Sequence, residues 1–157
     1  MIAEKTIALV AHDNRKKDMA EWVEYNVLSL LPHRMICTGT TGVLVEQAIL
    51  NKISREEARQ LQLTKLKSGP LGGDQQLGAL ISDGKIDVLI FLWDPMEPQP
   101  HDVDVKALLR IAVLYNIPIA NNRATADFIV SSTLFATEYK PTLKDYSSYI
   151  SRPVYQL

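Results

Sequence analysis

Cysteine is almost absent. The chain has one, Cys37, so no internal disulfide can form, and its place among apolar residues of a strand reads it as a core side chain without chemistry. Long apolar runs are missing too: the longest unbroken one, Val88 to Trp93, is far short of a bilayer span. Met1 to Val10 lacks the basic start and apolar stretch of a signal peptide, so the expected address is the cytoplasm, with no membrane partner. Neither sign of charge is in excess, with 17 basic against 18 acidic side chains, which argues against nucleic acid as a partner. No Gly-x-Gly-x-x-Gly follows a strand and no Walker-type Gly-Lys-Ser/Thr is present, so a dinucleotide or nucleoside triphosphate has little support. Repeats, low-complexity tracts and linkers are lacking as well.

What is present suits one folded unit. Hydrophobic residues make up 46% and charged residues 22% of 157 residues, a size and composition that support a single core and exclude disorder. Short apolar runs alternate with longer helical segments, the pattern of an α/β three-layer sandwich: a mainly parallel five-stranded sheet with helices on both faces. The strands are read at Thr6 to Ala11, Met35 to Thr38, Leu63 to Lys67, Val88 to Trp93 and Pro118 to Asn121. Helices are expected over Arg15 to Leu31, Thr41 to Leu50, Asp74 to Asp83 and Val103 to Tyr115, with another after Thr125. The Val103 helix is apolar nearly all round and is expected to be buried. Ser54 with Glu57 has capping-box spacing, which predicts a short helix over Arg55 to Leu61. From about residue 137 the domain ends in an irregular tail.

Open parallel sheets bind ligands at the carboxyl ends of their strands. Polar or glycine-rich sequence follows each strand here: His12-Asp13-Asn14-Arg15-Lys16, Gly39-Thr40-Thr41-Gly42, Ser68-Gly69-Pro70-Leu71-Gly72-Gly73-Asp74, Asp94-Pro95 with His101-Asp102-Val103-Asp104, and Asn122-Arg123-Ala124-Thr125. The fold would bring these onto one rim. Thr38-Gly39-Thr40-Thr41-Gly42 joins a strand to a helix, where backbone N–H groups and the helix dipole favour an anion, and Lys16 and Ser68-Gly69 would add to a small-phosphate cradle. Read alone, the turn serves equally as one whose threonine caps the helix.

Asp74, Asp94, Asp104, His12 and His101 are the acid-base groups of this rim. Each has a plainer account: Asp74 as a helix cap, Asp94 as a strand end before proline, Asp104 as a charge in a first helical turn, and His101 as a solvated loop residue. Together beside a phosphate they resemble the carboxylate-plus-imidazole solution for taking a proton from carbon next to a carbonyl, the combination that triosephosphate isomerase uses. His101 and Asp104 also have metal-ligand spacing, but no further histidine or cysteine lies near them in sequence, which argues against zinc or iron.

Ile7-Ala8-Leu9-Val10-Ala11-His12-Asp13, Thr38-Gly39-Thr40-Thr41-Gly42, Ser68-Gly69-Pro70-Leu71-Gly72-Gly73-Asp74-Gln75-Gln76, Trp93-Asp94-Pro95 and Pro100-His101-Asp102-Val103-Asp104 together resemble the bacterial methylglyoxal synthases, in order from about Ile7 to Ile129. The resemblance implies the fold of that family and a lyase acting on dihydroxyacetone phosphate to give methylglyoxal and inorganic phosphate. It implies Asp74 as the base and His101 as the group that polarises or orients the carbonyl, with Asp104 and Asp94 moving protons and holding the site. It assigns His12, Lys16, Thr38, Gly39, Thr40, Thr41, Ser68 and Gly69 to substrate and phosphate. Arg152 matches an arginine that reaches a phosphate across a subunit boundary. No metal or organic cofactor is implied. A homohexamer inhibited by inorganic phosphate is. Two features stand outside this agreement: Asn51 to Leu63 looks longer than in family members, and a helix N-terminus at Asp74 favours the ionised acid, which weakens it as a base. The same fold also occurs as a non-catalytic module that binds small effectors, which would need a phosphate pocket but not Asp74, His101 and Asp104 together. A phosphosugar isomerase or a lyase with another substrate is a further alternative.

Overall fold

The structure, a computed structural model, describes residues 1–153. Five strands form one sheet in the order β3-β2-β1-β4-β5, every pair parallel. They are β1 (Thr6–Ala11), β2 (Arg34–Thr38), β3 (Gln62–Leu66), β4 (Val88–Leu92) and β5 (Ile119–Ala120). The helices are α1 (Lys16–Tyr25), α2 (Val27–Leu30), α3 (Gly39–Leu50), α4 (Arg55–Ala58), α5 (Gly73–Ser82), α6 (Asp102–Leu114), α7 (Arg123–Ser131) and α8 (Ser147–Ile150). None of them is long and apolar enough to cross a membrane.

Strand alternation builds the layers. Side chains of β1 point to opposite faces in turn, so Ile7, Leu9 and Ala11 pack with Met19, Trp22, Val45 and Ile49 of α1 and α3. Ala8 and Val10 pack with Leu77 and Ile81 of α5 and with Val105, Leu108 and Ala112 of α6. Burial on both faces explains why β1 and β4 read as unbroken apolar runs. Each fully buried Leu or Ile side chain contributes about 1.5–3 kcal/mol.

Local chemistry departs from the expected elements at four places. The helix expected over Arg15 to Leu31 divides at Asn26 into α1 and α2; the Asn26 backbone N–H still donates to Trp22 O at 3.1 Å, and its side-chain amide shares that carbonyl at 2.8 Å. The Ser54–Glu57 capping box forms in both directions, but its helix stops at Ala58 because β3 must start at Gln62. Helix α6 buries one stripe, Val105, Leu108 and Ala112, and leaves Val103 and Val113 exposed on its outer face. In the tail, the Asp145 carboxylate accepts the Ser147 N–H at 2.9 Å and starts the short α8.

At the amino ends of the strands, His33 is buried. Its Nδ1 accepts the Lys5 N–H at 3.1 Å and its ring meets Phe135 edge-on at 4.8 Å. Burial lowers its pKa, with the Lys5 ammonium adding to the effect. A histidine held neutral in the fold binds fewer protons than in the unfolded chain, so its contribution to stability is lost as pH falls through about 6.5, the ordinary histidine value. Urea midpoints measured on either side of that pH should fall on acidification, and His33→Gln should flatten the dependence. An unchanged slope in the variant would remove His33 as the cause.

Candidate active site

The order of the strands reverses between β1 and β4, because β2 and β3 extend the sheet on one side and β4 and β5 on the other. Ligands of such sheets bind in the crevice at that switch, beyond the carboxyl ends. Here lies a cavity of about 230 Å³ lined by His12, Lys16, Thr38, Gly39, Thr40, Thr41, Ser68, Gly69, Asp74 and His101, with Asp13, Pro70 and Gln99. A larger cavity of about 550 Å³, at the opposite pole under residues 132–143, is mainly apolar; its Lys5 ammonium already donates to Thr137 O, and Asp87 accepts the Thr6 N–H. The smaller one gathers titratable groups of the rim.

Its anion-binding wall is the start of α3. The first N–H groups of a helix have no partner inside it and carry the positive end of the dipole. Thr38 occupies the cap position but makes no capping bond, so the plainer account of the turn does not hold. The Thr41 hydroxyl is committed to Ala11, donating to its carbonyl at 3.3 Å, and ties α3 to the end of β1. Gly39 has φ +36°, and a Cβ there would lie 2.6 Å from Ser68 Cα, so only glycine lets the β2 and β3 turns meet. Their contact is sealed by Gly39 N–H donating to Lys67 O at 3.1 Å. Lys16 reaches the cavity and is ion-paired with Asp13.

The acid-base wall follows β3 and precedes α6. Asp74, in the first turn of α5, is only 3% exposed and does not cap its helix. Its Oδ2 has no hydrogen-bond partner and stands 3.7 Å from His101 Nε2, too far for a bond. Burial raises the Asp74 pKa above the ordinary carboxylate value and the Asp104 charge raises it further, while His101 opposes both. The weakening expected from the helix terminus is thus met by desolvation. His101 is mostly buried, contrary to a solvated loop residue, and its Nδ1 is also unpartnered.

His12 completes the set. Its Nδ1 accepts the Asp94 N–H at 3.1 Å, and a nitrogen that accepts carries no proton, so the neutral ring holds its hydrogen on Nε2. That Nε2 is buried with no partner. Burial lowers the His12 pKa and nearby His101 lowers it further, against the carboxylates of Asp102, Asp94 and Asp13.

Three other candidates lie outside the cavity lining. The Asp94 carboxylate accepts from Met96 N–H and Asn14 Nδ2, both at 3.0 Å, and these bonds hold its pKa below the ordinary value. Asp104 sits in the first turn of α6, its N–H on His101 O at 2.9 Å, and acts on Asp74 through its charge. Arg152 is exposed and stacks over the Tyr149 ring at 3.7 Å. Conversely, Gln99 lines the cavity without having been a candidate; only its place two residues before His101 could have pointed to it. Cys37 is buried in the core, its thiol pushed up to about 12 by desolvation, and takes no part.

Comparison with known proteins identifies the family and the fold. Residues 18–121 match the MGS-like domain family. A methylglyoxal synthase of Maridesulfovibrio salexigens is 57% identical over 151 residues, covering 94% of this chain and 96% of that one. One from Oleidesulfovibrio alaskensis is 53% identical over 97% of both chains. The crystal structure of a methylglyoxal synthase from Elizabethkingia anophelis superposes with a TM-score of 0.86 at 47% identity, covering 98% of this chain and 95% of that one. With a matched domain, near-complete coverage and a shared parallel sheet, the chain belongs to the methylglyoxal synthase family of lyases.

Proposed function

We propose that the cavity binds dihydroxyacetone phosphate and converts it to methylglyoxal and inorganic phosphate. The observation that carries this reading is the convergence of three buried, unpartnered polar atoms, His12 Nε2, Asp74 Oδ2 and His101 Nδ1, beside the anion-binding start of α3. Native folds rarely leave such atoms unpaired, so they mark where a ligand supplies the partners.

The phosphate sits on the Thr40 and Thr41 amides with Lys16 and Ser68. Asp74 takes a proton from the hydroxymethyl carbon, and the C–H electron pair becomes the carbon–carbon double bond of an enediolate. The His12 Nε2–H and His101 face the developing oxyanion, where each well-placed donor is worth roughly 3 to 4 kcal/mol in other enzymes. The terminal hydroxyl then gives up its proton and the central oxyanion takes one; the pair on the terminal oxygen forms the aldehyde carbonyl, the carbon–carbon double bond shifts toward the phosphate-bearing carbon, and the bond from that carbon to the phosphate oxygen breaks. The enol released tautomerises to methylglyoxal. Raised by burial, Asp74 is a stronger acceptor than an exposed aspartate, and activity falls on the acid side as it protonates. Asp94 and Asp104 hold and tune the site rather than touch the substrate.

Purified protein should form methylglyoxal, trapped as its hydrazone, at full rate in chelator-treated buffer. No trapped product at millimolar substrate would sink the assignment. The same progress curves test inhibition by inorganic phosphate, which competes for the α3 cradle. They also test Arg152: if it reaches a neighbouring subunit's phosphate in the homohexamer that the resemblance implies, Arg152→Ala should weaken that inhibition. Exposed Leu71, Met96 and Val103 near the site are apolar surface of the kind that assembly covers.

A further inference from the structure

The hydrogen bonds behind His12 start at an exposed side chain. Asn14 Nδ2 donates to Asp94 Oδ2 at 3.0 Å, Asp94 Oδ1 accepts the Met96 N–H at 3.0 Å, and Asp94 N–H donates to His12 Nδ1 at 3.1 Å. Both Asp94 oxygens are therefore used, one within its own loop and one across to the turn after β1. Residues 93–100 contain no helix or strand, so the position of the Asp94 N–H depends on such ties rather than on a ladder. We propose that Asn14 is a positioning residue: by anchoring Asp94 it keeps the Asp94 N–H on His12 Nδ1 and fixes the imidazole as the tautomer that donates from Nε2 into the cavity.

The chemistry of the amide suits this role. A neutral donor meets the carboxylate without adding charge near an imidazole that must stay neutral. His12 is faced by Asp94 from the β4 loop, by His101 and Asp102 from the start of α6, and by Asp13 of its own turn, with Lys16 and Asp74 across the cavity. Burial and His101 oppose its protonation and the three carboxylates that act on it favour it. With forces so opposed, an Nδ1 occupied by a backbone N–H settles the state, since that nitrogen cannot also take a proton. Loss of the tie frees Nδ1 both to protonate and to exchange tautomers. A wrong tautomer is costly when the other nitrogen must act, as the serine protease triad illustrates.

This inference rests on the cavity being the substrate site. The test is long-range proton–nitrogen NMR on protein labelled at histidine nitrogen, together with kcat, KM and phosphate affinity, for wild type, Asn14→Ala and Asn14→Asp. Asn14 is exposed, so both variants should fold. Wild-type His12 should show the Nε2–H tautomer throughout. In Asn14→Ala the spectrum should show mixed tautomers and a titration moved up toward the ordinary histidine range, with kcat lowered by about 10-fold or more, the usual cost of losing a partner that orients a working histidine. KM and phosphate affinity should stay within about twofold, because the α3 cradle is untouched. Asn14→Asp keeps the shape but replaces the donor with a second carboxylate and should be at least as severe. Wild-type nitrogen shifts in Asn14→Ala, or a kcat unchanged in both variants, would overturn the proposal. The NMR arm reads the tautomer without turnover, so a failed methylglyoxal assay would count against the reaction and not against the role of Asn14.

Discussion

Asp74→Asn should lower kcat by about 10²- to 10⁴-fold, the range typical of a lost general base. Phosphate affinity should survive, because the α3 amides, Lys16 and Ser68 lie on a different wall of the cavity. The variant should also be more stable. Burial raises the Asp74 pKa above its unfolded value, so the ionised form is disfavoured in the fold, and that cost is present at neutral pH and vanishes as pH falls. Asparagine removes it, and for a chain of this size each kcal/mol recovered raises Tm by about 2–4 °C. Thermal melts at neutral pH check this. A destabilised Asp74→Asn would mean that hidden partners stabilise the carboxylate, and a variant with normal turnover would place the base elsewhere.

Gly69→Ala should be nearly as damaging to turnover while leaving the fold intact. A Cβ at Gly69 would sit 3.2 Å from both Asp74 Oδ2 and His101 Nε2, tighter than ordinary contact and in the gap between base and imidazole. Gly69 does not have positive φ, so alanine adds no backbone strain there. The methyl competes with the reacting carbon for space, and a displacement of about 1 Å at that point costs on the order of 10²-fold in rate. Steady-state kinetics and far-ultraviolet circular dichroism together give the answer. A kcat within about twofold of wild type would show that substrate does not occupy that gap.

The alternation of strands and helices was legible because parallel strands buried on both faces must be continuous apolar runs, as Val88–Leu92 is. The rim followed, since chain direction in such a sheet sends every β–α turn to one end. Less visible were features set by side chains acting at a distance. The first helix divides at Asn26, whose side chain shares the Trp22 carbonyl, and nothing in the period of its neighbours announces that. Asp94 is conspicuous as a carboxylate, yet its link to the cavity runs through its backbone N–H. Gln99 enters from an irregular loop with no periodicity to show which way it faces. The strand-end reading named the acid-base residues and the resemblance implied their roles, but neither showed how Asp74 is offset against its helix terminus. That balance is a matter of burial, which only packing determines.

The central position of β1 bears on how activity is gained during folding. β1 is the first strand in the chain, and its second edge pairs with β4 in the register Ile7↔Val88, so that edge stays open until most of the chain is available. Contacts of such long sequence separation form slowly, because loop closure must precede them. The tie from Asp94 to His12 spans 82 residues and closes the site through that same pairing. A chain folded only through β3 could hold the phosphate cradle without the groups that complete the acid-base wall. Proton transfer is thereby coupled to completion of the sheet, and local opening of the β1–β4 seam would silence the enzyme before it unfolds.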